Sequence, residues 1–241
     1  MTELFKEENL RKVFDRVFDN ETILALHYLA RHKYFDKIEF VIATGKEANV
    51  YRAIDEAGNY RAVKIYKTKA IQFKHIKPYI EGDERFLKVK DNRISLTYAW
   101  TKKEFKNLEL LTKAKVRVPM PLAFKDNVLV MEFIGDNGIA AMTLKENPFN
   151  DPKKLLNQLI ENLSLMIKKA RLVHADLSEY NMLNLNENIV IIDCGQAVLL
   201  SNPNAEIFLE RDFRNLANYL SKQGLEISAE ELKEKVEKFN F

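Results

Sequence analysis

The sequence predicts an α+β fold, with an antiparallel sheet in its N-terminal part and mostly helices in its C-terminal part, as two lobes of one unit or as two small domains. Three observations predict it. Residues 38–66 read as three short strands separated by turn residues. Residues 151–171, 205–223 and 229–239 carry apolar side chains at helical spacing. Between these helices, residues 172–198 (LVHADLSEYNMLNLNENIVIIDCGQAV) set polar side chains around a short apolar run. At 241 residues, 46% apolar and 30% charged, the chain can bury a real core and is not disordered.

Taken in order, residues 3–18 place Leu4, Phe5, Leu10, Val13, Phe14, Val17 and Phe18 near helical spacing, and Asn20 is read as the cap of a second helix through Arg31. Strands follow at 38–44, 48–54 and 60–66, with Asp55-Glu56-Ala57-Gly58-Asn59 as a turn. Residues 67–95 read as a long mobile loop with Phe73, Tyr79 and Phe86 exposed, a natural place for a substrate or partner. A helix over about 97–113 bears Trp100, Phe105, Leu108 and Leu111. Pro119 and Pro121 end that region, and strands 122–124 and 128–133 pair across Lys125-Asp126-Asn127. Residues 136–150 read as loop. Asp151-Pro152 opens a helix to about Arg171 with Leu155, Leu159, Leu163 and Ile167 on one face. Gly224 suits the end of helix 205–223, and Ser228 with Glu231 predicts a capping box for 229–239.

The chemistry-bearing residues lie in 172–198. Asp176 precedes Asn181 by five positions, and Asp193 follows twelve later, at the end of Ile189-Val190-Ile191-Ile192. A single Asp or Asn is ordinarily a turn former or cap. Together the three have the spacing of a kinase catalytic loop and metal strand. Asn181 and Asp193 offer oxygens to a hard cation, and Asp176 would accept or orient the acceptor's proton. His174 is expected to prop the loop by hydrogen bonding. Arg211 and Asp212 are expected either to brace it or to form a surface ion pair.

The connection 43–50 (ATGKEANV) falls where kinases carry a glycine-rich loop, with only the middle glycine kept; it would set Lys46, Glu47 and Ala48 over a nucleotide, and an ordinary hairpin turn with a lone glycine is the competing reading. Eighteen residues past Lys46, Ala62-Val63-Lys64 supplies a lysine for the phosphates, with Glu104 as its candidate partner and an exposed glutamate on a charged helix as the competing reading. Residues 131–135 (MEFIG) read as a hinge offering backbone groups to adenine. Val50, Ala62, Leu183 and Ile192 would wall the cleft, with core packing the competing reading for each. Only eleven residues separate Asp193 from the helix at Ala205, too few for an activation loop and peptide-docking platform.

Net charge is +3, but residues 64–117 hold fifteen Lys or Arg against six Asp or Glu, which suits phosphates of nucleotide or RNA, or a solvated face. No apolar run reaches the roughly 18 residues of a membrane span, and the N-terminus lacks the apolar core of a secretion signal, which points to the cytoplasm. The lone Cys194 reads as a small buried side chain.

These residues resemble the RIO-type atypical protein kinases, RIO-one branch. The resemblance runs from Thr22 to Asn215 and is most specific at 45–51 (GKEANVY), 65–68 (IYKT), 174–181 (HADLSEYN) and 192–196 (IDCGQ). No winged helix precedes the first strand, unlike the RIO-two branch, and the compact chain looks like archaeal members. The resemblance implies a bilobal protein-kinase-like fold lacking activation loop and peptide-docking helices. Residues 1–36 would be N-terminal helices, 37–134 the N-lobe with flexible loop 67–95, and 135–241 the C-lobe. It implies ATP with Mg²⁺ or Mn²⁺. Catalytic residues would be Asp176, Asp193 and Lys64, and metal ligands Asn181 and Asp193. The nucleotide would contact Lys46, Glu47, Ala48, Val50, Ala62, Lys64, Glu104, Leu183 and Ile192, and the backbones of Glu132 and Ile134. It further implies serine autophosphorylation, an ATPase cycle through a phosphorylated Asp193, and a role in small-ribosomal-subunit maturation, with pre-ribosome and rRNA contacted through 64–117.

Two other functions compete. A small-molecule kinase of the aminoglycoside or choline type shares the His-x-Asp-x₄-Asn spacing but needs a larger helical region than 197–241. A nucleotide-free RNA-binding scaffold would rely on the basic segment alone.

Overall fold

The computed structural model describes residues 18–68, 73–80, 82, 83, 86, 89, 90 and 92–241, with no side chains described at 73–75. The helix expected over 3–18 lies almost wholly outside the described residues. The chain divides into two compact units. The first comprises the described parts of Met1–His75 and Lys88–Phe105, with Met120–Phe133. The second comprises those of Ile76–Leu87, with Lys106–Pro119 and Ile134–Phe241.

The first unit is a sheet covered by a helix. Strands β1 (Lys37–Thr44), β2 (Ala48–Ile54), β3 (Tyr60–Tyr66), β4 (Pro121–Lys125) and β5 (Val128–Glu132) form an antiparallel sheet in the order β1-β2-β3-β5-β4. Helix α1 (Asn20–Arg31) is capped one residue earlier than expected: Asp19, not Asn20, accepts from the Thr22 amide (2.9 Å) and hydroxyl (2.6 Å). Its buried Ala25, Leu26 and Leu29 pack with Phe35 and Ile38 on Tyr51, Ala53, Val63, Ile65, Ala123, Val128 and Val130. Because side chains alternate along a strand, this packing commits the opposite sheet face to Val50, Arg52, Ala62 and Lys64.

The segment 67–95, expected to be loop, holds a helix α2 (Phe73–Ile80), whose Ile76 and Ile80 are buried. Tyr79, expected to be exposed, is half-buried and stacks on Phe208. The apolar side chains at 76, 79 and 80 share one helical face, a period obscured by the flanking charges. Helix α3 (Arg93–Lys113) starts earlier than expected and contributes residues to both units.

The second unit is mostly helical. Helix α4 (Pro152–Ser164) starts at the Asp151 cap and buries Leu155, Leu159 and Leu163. It does not continue as α-helix to Arg171: Leu165–Lys169 form a π turn, and Met166 is buried where Ile167 was expected. The region 136–150, expected to be loop, contains short strands β6 (Gly135–Asp136), β7 (Ile139–Ala140) and β8 (Met142–Thr143). Strands β9 (Leu172–Val173), β10 (Met182–Asn184), β11 (Ile189–Ile191) and β12 (Val198–Leu199) pair as β11-β10-β8 and β12-β9. Helices α5 (Ala205–Lys222) and α6 (Ala229–Lys238) follow, with Gly224 at φ +81° after the first and the Ser228–Glu231 capping box opening the second.

Candidate functional site

In the first unit the site is built on the sheet face away from α1. Lys64 sits opposite Val50 and Leu129, and Ala62 opposite Arg52 and Met131. The Lys64 ammonium donates to Glu104 Oε1 at 2.7 Å, with 8% and 1% of the two side chains exposed. Tyr66 donates its hydroxyl to the other Glu104 oxygen. The expected partner is therefore engaged on both oxygens, and the alternative of an exposed glutamate is excluded. The basic segment is not one solvated face either, since Lys64 and Lys103 are buried, Lys103 over the Trp100 ring.

The turn after β1 is tight. The Gly45 amide donates to the Ala48 carbonyl at 2.9 Å, and a side chain at Gly45 would bring its Cβ within 3.1 Å of that oxygen. The Lys67 amide donates to Glu47 O at 2.8 Å, and its ammonium to Gly45 O at 2.6 Å, so the residue just past β3 ties the turn down. Lys46 is exposed, while Glu47, Ala48 and Val50 are half-buried. At the end of β5, the Glu132 amide donates to Met120 O at 2.8 Å, and its carboxylate accepts from the Met120 amide at 3.1 Å.

In the second unit, Asn181 Nδ2 donates to the Asp176 carbonyl at 2.8 Å and to its carboxylate at 3.2 Å. The Ile192 amide donates to Asn181 O at 3.0 Å, which joins this loop to the residue before Asp193. Asp193 is exposed at φ +58°, just past β11. His174 is buried and its Nε2 bonds Ile192 O at 2.9 Å, the propping role expected of it. Leu183 and Ile192 are half-buried. Ile134 is buried, and its carbonyl accepts from the Ala141 amide at 3.0 Å.

Burial lifts the Asp176 carboxyl above the usual carboxylate range and the charge of Asp193 adds to it, while His174, Arg211 and the Asn181 hydrogen bond oppose. Asp212 braces the loop, accepting from the amides of Ala175 (2.8 Å) and Leu177 (2.9 Å). Burial pushes its carboxyl up to about 6 against those hydrogen bonds and the nearby cations. The surface ion pair weighed for Arg211 and Asp212 is thus excluded.

Sequence reasoning missed Asn107. It is fully buried, and its Nδ2 donates to Cys194 O (2.8 Å) and Ala197 O (2.9 Å), fixing the turn after Asp193. The available signal was one amide among Phe105, Leu108 and Leu111. Cys194 is buried as expected.

Among the described residues no three His, Cys, Asp or Glu side chains gather as a metal site. No helix among the described residues is long and apolar enough to cross a membrane.

An antiparallel sheet carrying a buried Lys–Glu pair, and a helical unit whose Asp–Asn loop is followed by a short strand with an Asp just past its end, define a protein-kinase-like α+β fold. The Rio2 kinase of Chaetomium thermophilum, solved as an ADP/Mg²⁺-phosphoaspartate complex, shares the fold at a TM-score of 0.69. It is 24% identical, the match covering 91% of this chain and 67% of that one. A family model, the RIO domain, matches residues 49–233. The RIO-type serine/threonine-protein kinase Rio1 of Haloferax volcanii is 40% identical over 229 residues, 95% of this chain and 79% of that protein. The human serine/threonine-protein kinase RIO1 is 36% identical over 226 residues, 92% of this chain but 40% of that longer protein. The chain belongs to the RIO family of serine/threonine protein kinases.

Proposed function

We propose that this protein is an ATP-dependent serine/threonine kinase and ATPase that autophosphorylates and acts in maturation of the small ribosomal subunit. One observation carries the reading. Asn181 holds Asp176 through its amide nitrogen and Ile192 through its carbonyl, so the acceptor-orienting acid, the candidate metal amide and the approach to Asp193 form one connected unit. Because Nδ2 is committed to Asp176, Asn181 would offer Oδ1 to a cation.

Asn181 and Asp193 suit Mg²⁺ or Mn²⁺, which take hard oxygen donors and complete their shells with phosphate oxygens and water. The metal would supply neutralisation of charge on the triphosphate. Asp176 would receive the proton of the acceptor serine as its oxygen bonds to the γ-phosphorus and ADP departs. In the first unit Lys64, oriented by Glu104, would bind phosphate, with Lys46, Glu47, Ala48, Val50 and Ala62 along the nucleotide. Glu132 and Ile134 would meet adenine through backbone groups, with Leu183 and Ile192 as apolar contacts. Residues 37–134 and 135–241 would act as N-lobe and C-lobe. The pre-ribosomal partner rests on the family resemblance and the charge excess of 64–117.

The test is mass spectrometry of the chain after incubation with ATP and Mg²⁺, alone and with small-subunit precursors. Phosphoserine together with an acid-labile acyl phosphate at Asp193 is expected, and Asp176→Asn should abolish the phosphoserine while nucleotide still binds. Absence of metal-dependent ATP binding by calorimetry would overturn the reading.

A further inference from the structure

Helix α5 holds the catalytic loop with two adjacent residues. Asp212 accepts the amide of Ala175, and Arg211 donates through Nη2 to the carbonyl of the same residue. Ala175 has φ +67°, a left-handed conformation that a residue with a Cβ keeps only where its surroundings impose it. Both polar backbone groups of this residue are therefore gripped from one helix, immediately before Asp176.

Arg211 is itself supported by stacking. Its guanidinium lies over the ring of Phe208, 5.1 Å from the centroid and one turn earlier on α5. Phe208 in turn stacks on Tyr79 of α2, with ring centroids 5.0 Å apart and planes 15° from parallel. Tyr79 packs on a buried cluster of Val173, Ala175, Val198, Ala205 and Phe208. The seat of α2 is marked a second time by the Pro78 carbonyl, which accepts from Asn204 Nδ2 at 3.3 Å and Asn202 Nδ2 at 3.5 Å.

We propose that Arg211 is a positioning residue for phosphoryl transfer and that Tyr79 sets it through Phe208, so the seating of α2 orients the Ala175 carbonyl and the Asp176 carboxylate that follows. The proposal rests on the kinase reading given above. A planar guanidinium can stack and donate sideways at once, which an ammonium cannot. Since none of the three side chains is assigned to nucleotide binding, their loss should appear in kcat and not in the KM for ATP.

The experiment compares Tyr79→Phe, Tyr79→Leu, Tyr79→Ala, Arg211→Lys and the double variant Tyr79→Ala/Arg211→Lys in the full chain. It measures steady-state ATP turnover and deuterium uptake over residues 172–178. Tyr79→Phe keeps the ring and its stack on Phe208, so it should stay nearer the parent than Tyr79→Leu or Tyr79→Ala. Tyr79→Ala and Tyr79→Leu should each lower kcat about tenfold, and Arg211→Lys at least as much, with KM for ATP within about twofold, as expected of a small displacement remote from the chemistry. The double variant should be no slower than Arg211→Lys alone, and deuterium uptake should rise in Tyr79→Ala but not in Tyr79→Phe. Unchanged kcat in Tyr79→Ala and Tyr79→Leu, a rise in KM alone, or additive losses in the double variant would overturn the proposal. If the parent shows no ATP turnover, the kinase reading fails by itself. Deuterium uptake then decides the coupling: equal uptake in parent and Tyr79→Ala rejects it, and faster uptake only where the ring is lost upholds it.

Discussion

Lys64 and Glu104, forty positions apart, meet at 2.7 Å as a buried ion pair on the sheet face turned away from α1. A buried charge that loses its partner is left desolvated, which costs far more than the pair contributes.

Glu104→Gln should therefore lower the unfolding free energy by roughly 3–5 kcal/mol, the usual cost of breaking a buried pair from one side. Lys64→Met together with Glu104→Leu should recover most of it. Urea unfolding of the single and double variants measures both, and the double variant should remain folded while losing ATP turnover.

Asn181→Ala removes both hydrogen bonds to Asp176 and the proposed amide ligand. Turnover should fall by orders of magnitude, and metal-dependent nucleotide affinity should fall with it. In Asp176→Asn, by contrast, affinity should stay near that of the parent. Calorimetry at fixed Mg²⁺, beside single-turnover kinetics, separates the two patterns.

Asp212 gives a pH dependence with a definite sign. Its carboxyl is raised from 3.8 to about 6 in the folded chain, so between these values the native state holds a proton that the unfolded state has released. Stability from this group is complete below about pH 4 and is lost as pH rises through 6, a change of roughly 3 kcal/mol at most. Asp212→Asn should flatten that part of the stability curve, as read from urea midpoints between pH 4 and 7.

The capping box at α6 is a local test of stability alone. Ser228 accepts from the Glu231 amide at 3.1 Å while the Glu231 carboxylate accepts from the Ser228 amide at 2.9 Å. Ser228→Ala should cost about 1 kcal/mol, visible as a lower Tm with kcat unchanged.

Much of this was legible beforehand because it depends on local rules. Strands β2 and β3 fall on the residues predicted for them, since turn chemistry at Asp55 and Gly58 and the alternation on either side are short-range signals. The kinase-like fold was legible because Asp176, Asn181 and Asp193 occur at one spacing. What was misread depends on packing and hydrogen bonds that propensity alone does not choose. Helix α2 was taken for loop because the surface it covers, Phe208 and its neighbours, lies some 130 positions later. The α1 cap slipped by one residue because Asp19 and Asn20 are both good caps and only the Thr22 hydrogen bonds choose between them.

By itself, then, the sequence determined where most of the strands and helices lie and which residues are candidates for phosphotransfer chemistry, because propensity, period and spacing are properties of neighbouring residues. Only the tertiary structure decided that Glu104 is buried with both oxygens engaged, that Asn107 secures the turn after Asp193, and that Arg211 and Asp212 hold the two polar backbone groups of Ala175. Each of these is a polar group withdrawn from water. Which partner replaces the water is settled by packing between distant segments, and no single stretch of chain contains that information.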